Sequence, residues 1–378
     1  MSNTYRVGVI GFAHMHINSL IKDFGAHPQV ELAACADTQP ARPELRDATY
    51  TRGWNKRHAL DNLGVAKAYD SYPEMLANEA FDIVLCCAEN ARHAEVTEAC
   101  AAAGIHVVAE KPMASSLAHG LRMARAAKAA NTEVIINWPT TWSPAIRKAK
   151  ALIDDGVIGR VLEVKWRGGH TGPLGMGETH PGITQGAEAM NPTELGATWW
   201  HHNATGGGAM LDYCCYGSML SRWYIGEQAQ AAVGMRANLN SSWGDADDNA
   251  AMIVRFPHAL ALLEASWTTR AHGVSPGPII YGTQGTLVIE RKEQQIVRLE
   301  TGKGPAKEFE LEPLPAGRAT IAEELIHHLD TGDELHPTLQ LGLNLEVMAI
   351  LDAGVRATDS GQLEMVNNGV WQMGESHS

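Results

Sequence analysis

The chain has 378 residues and a net charge of −13, with 45% apolar and 19% charged content. That length suits two domains, each able to bury a core. The composition excludes a disordered chain, and the acidic balance argues against nucleic acid or an anionic membrane as partner. The cysteines, Cys35, Cys86, Cys87, Cys100, Cys214 and Cys215, sit in apolar runs without a CxxC and read as reduced, buried thiols. No signal peptide or transmembrane stretch precedes the first strand pattern, which implies a cytoplasmic location.

Arg6–Ile10 reads as a buried strand that turns through Gly11, Phe12, Ala13, His14, Met15 and His16 into a helix from Ile17. This is where a GxGxxG turn would let a pyrophosphate approach backbone N–H groups, although only Gly11 of its glycines is present. A second strand, Val30–Cys35, leads to Asp37, about 20 residues past the turn and placed to accept from an adenosine ribose. A carboxylate there repels a 2′-phosphate and favours NAD, while Arg42 leaves room for NADP. Residues 40–65 read as a loop-rich insertion with one short helix.

The pattern then gives a helix over Tyr72–Asn78, a fourth buried strand over Asp82–Cys87, a helix over Ala91–Ala103 and a strand over Ile105–Ala109. Ser115 is placed to cap a helix reaching Ala130, and Glu133–Ile136 adds a last strand. Alternation of strand and helix predicts a doubly wound parallel sheet, a Rossmann domain over 1–136. Two strand ends bear on ligands. Ala88, Asn90 and His93 follow the Asp82–Cys87 strand, where they contact a nicotinamide ribose or cap the next helix. Glu110-Lys111-Pro112 follows the next strand, with the lysine aimed by the proline after it. His14 and His16 form a possible metal pair, but no carboxylate or cysteine is spaced nearby in sequence to complete it, so no metal is expected.

From Asn137 the character changes, giving a second domain over 137–378. Ser143–Asp155 is an amphipathic helix and Val161–Arg167 a half-buried strand. Residues 168–199 are rich in Gly, Pro, Thr and His without periodicity, which suits a segment covering a site. Gly206-Gly207-Gly208 opens a helix carrying Asp212 and Tyr216 on one face. Six strands then follow between Gln230 and Leu299 without intervening helices, predicting a large, mostly antiparallel open sheet in an α+β domain. Helices over Ala319–Asp330 and Leu339–Thr358 close the chain.

Together the Gly11 turn, Asp37, Glu110-Lys111-Pro112, the triple glycine with Asp212, and Tyr281–Leu287 resemble the Gfo/Idh/MocA family along essentially the whole chain. The resemblance implies NAD(P)-dependent oxidation of a secondary alcohol on a sugar, polyol or related compound, with the open sheet serving a homodimer or homotetramer. Lys111 and Asp212 then act at the reacting hydroxyl. The family helix reads Asp-x-Gly-x-His, and here Tyr216 stands where its proton-accepting histidine is expected. Tyr216 is therefore the candidate base, assisted by the Lys111 ammonium, with His170, His180, His201 and His202 as competitors. Trp142, the 168–199 segment and His202 are expected to line the substrate pocket, and Trp138, Trp199 and Trp200 suit stacking on a sugar face. Two other readings are a redox-neutral enzyme that retains NAD and a non-catalytic NAD-binding protein.

Overall fold

The computed structural model describes residues 4–369 apart from 182, 274, 292 and 293. The ends of the two expected domains, 1–3 and 370–378, lie outside the described residues. Five parallel strands form the first sheet: β1 (Tyr5–Phe12), β2 (Val30–Ala36), β3 (Ile83–Cys87), β4 (His106–Glu110) and β5 (Val134–Asn137), in the order β2-β1-β3-β4-β5. Every residue of β3 is fully buried, because helices cover both faces of the sheet. The order reverses beside β1, so the C-terminal ends of β1 and β3 flank the crevice where doubly wound sheets bind ligands.

Asp82–Cys87 is thus the third strand, not the fourth. Between β2 and β3 the described residues hold only one isolated bridge, Cys35 to Ala68. The 40–65 insertion folds into a helix of 11 residues, Arg52–Asn62. The cap of the alanine-rich helix Leu117–Ala130 is Ser116, whose side chain accepts from the His119 N–H; Ser115 bonds the His119 ring instead.

The second sheet has nine strands: β6 (Val161–Gly169), β7 (Ala231–Ala237), β8 (Asn249–Arg255), β9 (Leu260–Ser266), β10 (Ile279–Gly282), β11 (Thr286–Arg291), β12 (Gln295–Glu300), β13 (Lys307–Phe309) and β14 (Glu364–Met365). Only β6 and β9 pair in parallel; the remaining pairs are antiparallel. One face carries the helix Cys215–Ile225, and its buried residues fill the space against β6 and β9. The last helices return to the first sheet. Tyr5 donates to Asp330 at 2.7 Å, and Trp138 Nε1 donates to Asn344 Oδ1 at 2.8 Å. No helix among the described residues is long and apolar enough to cross a membrane.

Candidate functional site

Lys111 leaves the end of β4 through a cis peptide bond to Pro112, and its ammonium is buried. It donates to Asp212 Oδ1 at 2.5 Å and to the Asp212 main-chain oxygen at 3.1 Å. An ammonium has three donors, so one N–H remains uncommitted. Burial opposes the charge on Lys111, but the Asp212 carboxylate more than compensates and raises its pKa well above the ordinary lysine value. Burial likewise pushes Asp212 up. The Lys111 ammonium outweighs it, with help from the Trp267 indole, and holds the carboxyl below its usual range. Trp267 Nε1 donates to Asp212 Oδ2 at 3.0 Å, so both carboxylate oxygens are engaged. Asp212 is a fixed counter-ion here, not a free base.

The triple glycine explains how Asp212 gets there. Gly206 and Gly208 have φ of +80° and +105°, and a Cβ on Gly207 would lie 2.0 Å from the Trp200 carbonyl. Close passage beneath Trp200 then feeds a π-helical turn, Met210–Cys214, before the α-helix Cys215–Ile225 begins. Such turns widen the helix locally and recur at functional sites. Asp212 and Tyr216 do meet Lys111 from one face, but in different ways. The Tyr216 ring presents its face to the ammonium at 4.9 Å. Burial raises its hydroxyl pKa, and the nearby lysine does not reverse this. The structure thus shows Tyr216 as a cation–π partner for Lys111.

Lys111, Asp212 and Tyr216 line a cavity of about 80 Å³. His14 and His16 close one side, and Trp200 and Tyr213 another. The 168–199 segment contributes His170, Glu178 and His180, so it does cover this site. His170 Nδ1 accepts from the Gly172 N–H at 2.8 Å, which leaves its proton on Nε2 and makes it a donor. Burial pushes His180 down to about 3, so it is neutral, and its Nε2 has no partner. Burial, reinforced by the Asp212 charge, pushes Glu178 up to about 7, and its Oε2 has no partner. Glu178 is the cavity group whose pKa suits proton acceptance near neutrality. His170 and His180, two of the competing bases, do reach the cavity, whereas no local pattern marked Glu178 or Trp267, because each comes from a segment or strand remote from Lys111 in sequence.

A dinucleotide's fit can be judged from the switch point. Gly11 has φ +87°, and a Cβ there would lie 2.5 Å from the Ala88 nitrogen, so β1 and β3 approach as a glycine turn requires. Phe12 serves through its backbone, donating to Asp37 Oδ1, which also accepts from Thr38 and Arg52. Among the described residues no hydrogen bond reaches Asp37 Oδ2, and Asn90 Oδ1 is buried without a partner while its amide donates to Gly206. These free oxygens, with the glycine cradle, fit ribose hydroxyls of a nicotinamide dinucleotide. Other groups depart from expectation. The Ala13 and His14 N–H groups donate to Cys87, and His93 is wedged between the Ala88 and Met113 carbonyls as a clamp. Glu110 binds His16 and Asn137. Beside Asp37 stands Arg52, not the exposed Arg42.

Four residues expected at the site lie elsewhere. Trp142 packs against Arg147, 5.3 Å from its guanidinium. His202 bonds Gly196 at 2.7 Å, and His201 packs between Trp243 and Trp267. Trp138 is core. Trp199 holds the glycine turn, donating to the Ala13 carbonyl at 2.8 Å, and stacks on Trp200.

Residues 5–138 match the oxidoreductase family with an NAD-binding Rossmann fold, and residues 146–288 match the GFO/IDH/MocA C-terminal domain. The chain is 25% identical to myo-inositol 2-dehydrogenase of Thermotoga maritima over 254 residues, 66% of this chain and 68% of that one. It is 25% identical to 1,5-anhydro-D-fructose reductase of Ensifer adhaerens over 320 residues, 83% and 88% of the two chains. Among solved structures, aldose-aldose oxidoreductase from Caulobacter crescentus, complexed with glycerol, superposes with a TM-score of 0.73 at 22% identity, covering 96% of this chain and 100% of that one. With the Lys111–Asp212 pair at the meeting of its two sheets, the chain belongs to the Gfo/Idh/MocA family of NAD(P)-binding oxidoreductases.

Proposed function

We propose that the protein oxidises a secondary hydroxyl of a sugar, polyol, inositol or glycoside. Lys111 holds the reacting oxygen through its uncommitted N–H, Asp212 fixes Lys111, and Glu178 takes the hydroxyl proton. A nicotinamide dinucleotide, when bound across Gly11, Asp37 and Asn90, supplies the hydride acceptor. The single observation that carries this reading is the buried Lys111–Asp212 pair, with one donor unused, in a cavity that also holds Glu178, whose Oε2 has no hydrogen-bond partner and whose Oε1 faces His170 Nε2 at 3.7 Å. The ammonium stays charged, so it withdraws electron density from the oxygen and stabilises the alkoxide that forms as the proton leaves. His170 adds a second donor on the same cavity wall. Tyr213 and Trp200 supply ring surfaces for an apolar sugar face.

NAD is favoured over NADP. Arg52 is ion-paired to both Asp37 and Glu89 at 2.6 and 3.0 Å, so the three charges sum to −1 and repel a 2′-phosphate. The test is a screen of NAD and NADP reduction across sugars, inositols and glycosides. At least one should reduce NAD faster than NADP, with kcat rising as pH passes about 7. A screen without turnover by either cofactor would sink the reading.

A further inference from the structure

The geometry points to a divalent metal site of the Zn²⁺ class formed by His14 Nε2, His16 Nδ1 and Glu110 Oε1, with a side open to the Lys111 cavity. This goes beyond the dehydrogenase reading and does not depend on it. The three ligand atoms lie within 4.8 Å of one another, and no other such group occurs among the described residues. Two histidines and a carboxylate are a common donor set for a metal that keeps open positions.

A hydrogen-bonded pair alone would account for His16 and Glu110, whose Nδ1 and Oε1 are 2.8 Å apart. It does not account for His14. That ring is buried, and its Nε2 has no partner while facing Glu110 Oε1 at 3.8 Å, too far for a hydrogen bond. An ion between the two atoms would satisfy both. The His180 ring stands 5.9 Å from His16, also with an unpartnered buried Nε2.

Outer contacts orient the set as metal ligands are usually oriented. Glu110 Oε2 accepts from the Asn137 amide at 2.8 Å, which turns Oε1 toward the histidines. The charge balance also suits a dication: Lys111 is neutralised by Asp212, so its charge does not offset the buried Glu110. Loading has one cost. His14 Nδ1 now accepts from the His16 N–H at 3.1 Å, and ligation through Nε2 moves the ring proton to Nδ1, giving up that contact. The open positions would take water or an oxygen of a molecule bound beside Lys111.

The full chain, stripped with chelator and titrated with Zn²⁺ by calorimetry, tests the site. One equivalent should bind, and His16→Ala, at a half-buried position, should weaken binding at least 50-fold. Co²⁺ should give visible d–d bands that the same variant loses. The surface pair His327 and His328 offers a competing place, so His328→Ala should leave both signals intact. Absence of Co²⁺ bands in the parent chain, or affinity unchanged within threefold by His16→Ala, would overturn the proposal and leave His16 and Glu110 as a hydrogen-bonded pair only.

Discussion

At Lys111 the decisive fact is the number of its partners. Two of three donors are taken by one residue, and the third faces a cavity lined by a carboxylate whose own oxygen is unpaired. Tyr216 contributes a ring to the ammonium, so Tyr216→Phe should keep kcat within about tenfold, because only a proton acceptor's loss costs the 10²–10⁴-fold expected of general base catalysis. Glu178→Gln should fall by about 10²-fold and lose the pH limb near 7. A pH–rate comparison of the two variants separates the assignments. The same carboxyl also leaves a mark on stability. With its pKa raised on folding to about 7, the native state keeps a proton that the unfolded chain gives up lower. Stability from this group is therefore present below the ordinary glutamate range and lost as pH rises toward 7. Denaturant midpoints should show Glu178→Gln stabilised relative to the parent at pH 8 and not at pH 4.

Among the elements, the glycine passage before the π-turn carries the most constraint. A methyl at Gly207 meets the Trp200 backbone at 2.0 Å, where no flexible side chain can give way. Gly207→Ala should cost more than about 3 kcal/mol, as overpacking of fixed backbone does, and should lower turnover by displacing Asp212. Thermal unfolding and activity together check this; a normal melting temperature would contradict it. The elements themselves were legible in sequence because their signals are local: β-branched runs for β3 and β4, and glycines before the Asp212 helix. The site was legible only in part. Lys111 and Asp212 stood out at element ends, but the orientation of Tyr216 depends on a π-turn that periodicity does not reveal. His14 and His16 looked incomplete because their carboxylate, Glu110, arrives from another strand. Glu178 lies in an aperiodic segment, and only tertiary burial gives it its pKa. Trp142 and His202 are close in sequence to the site yet packed away from it.

For the whole molecule, the open sheet leaves one face uncovered. Val233, Met235, Ile253 and Leu260 are exposed there, and several border a hollow of about 620 Å³. Apolar surface of this kind on a sheet favours association with a second copy. We propose a homodimer or homotetramer built on this face. Light scattering should show Met235→Glu with Ile253→Glu reducing the mass to that of one chain, whereas an unchanged mass would place the interface elsewhere. The other face brings Asp212 under β9, where Trp267 can hold it, and delivers it to the end of β4. The Lys111–Asp212 pair, the centre of the proposed reaction, therefore exists only when both sheets are in place. Its most direct test is Lys111→Ala, assayed for NAD reduction with the best substrate and, on the same preparation, for NAD binding. Turnover should fall by about 10²–10³-fold, the loss typical of one preorganised donor to a developing oxyanion, with NAD affinity kept within threefold. Turnover within tenfold of the parent chain would contradict the account.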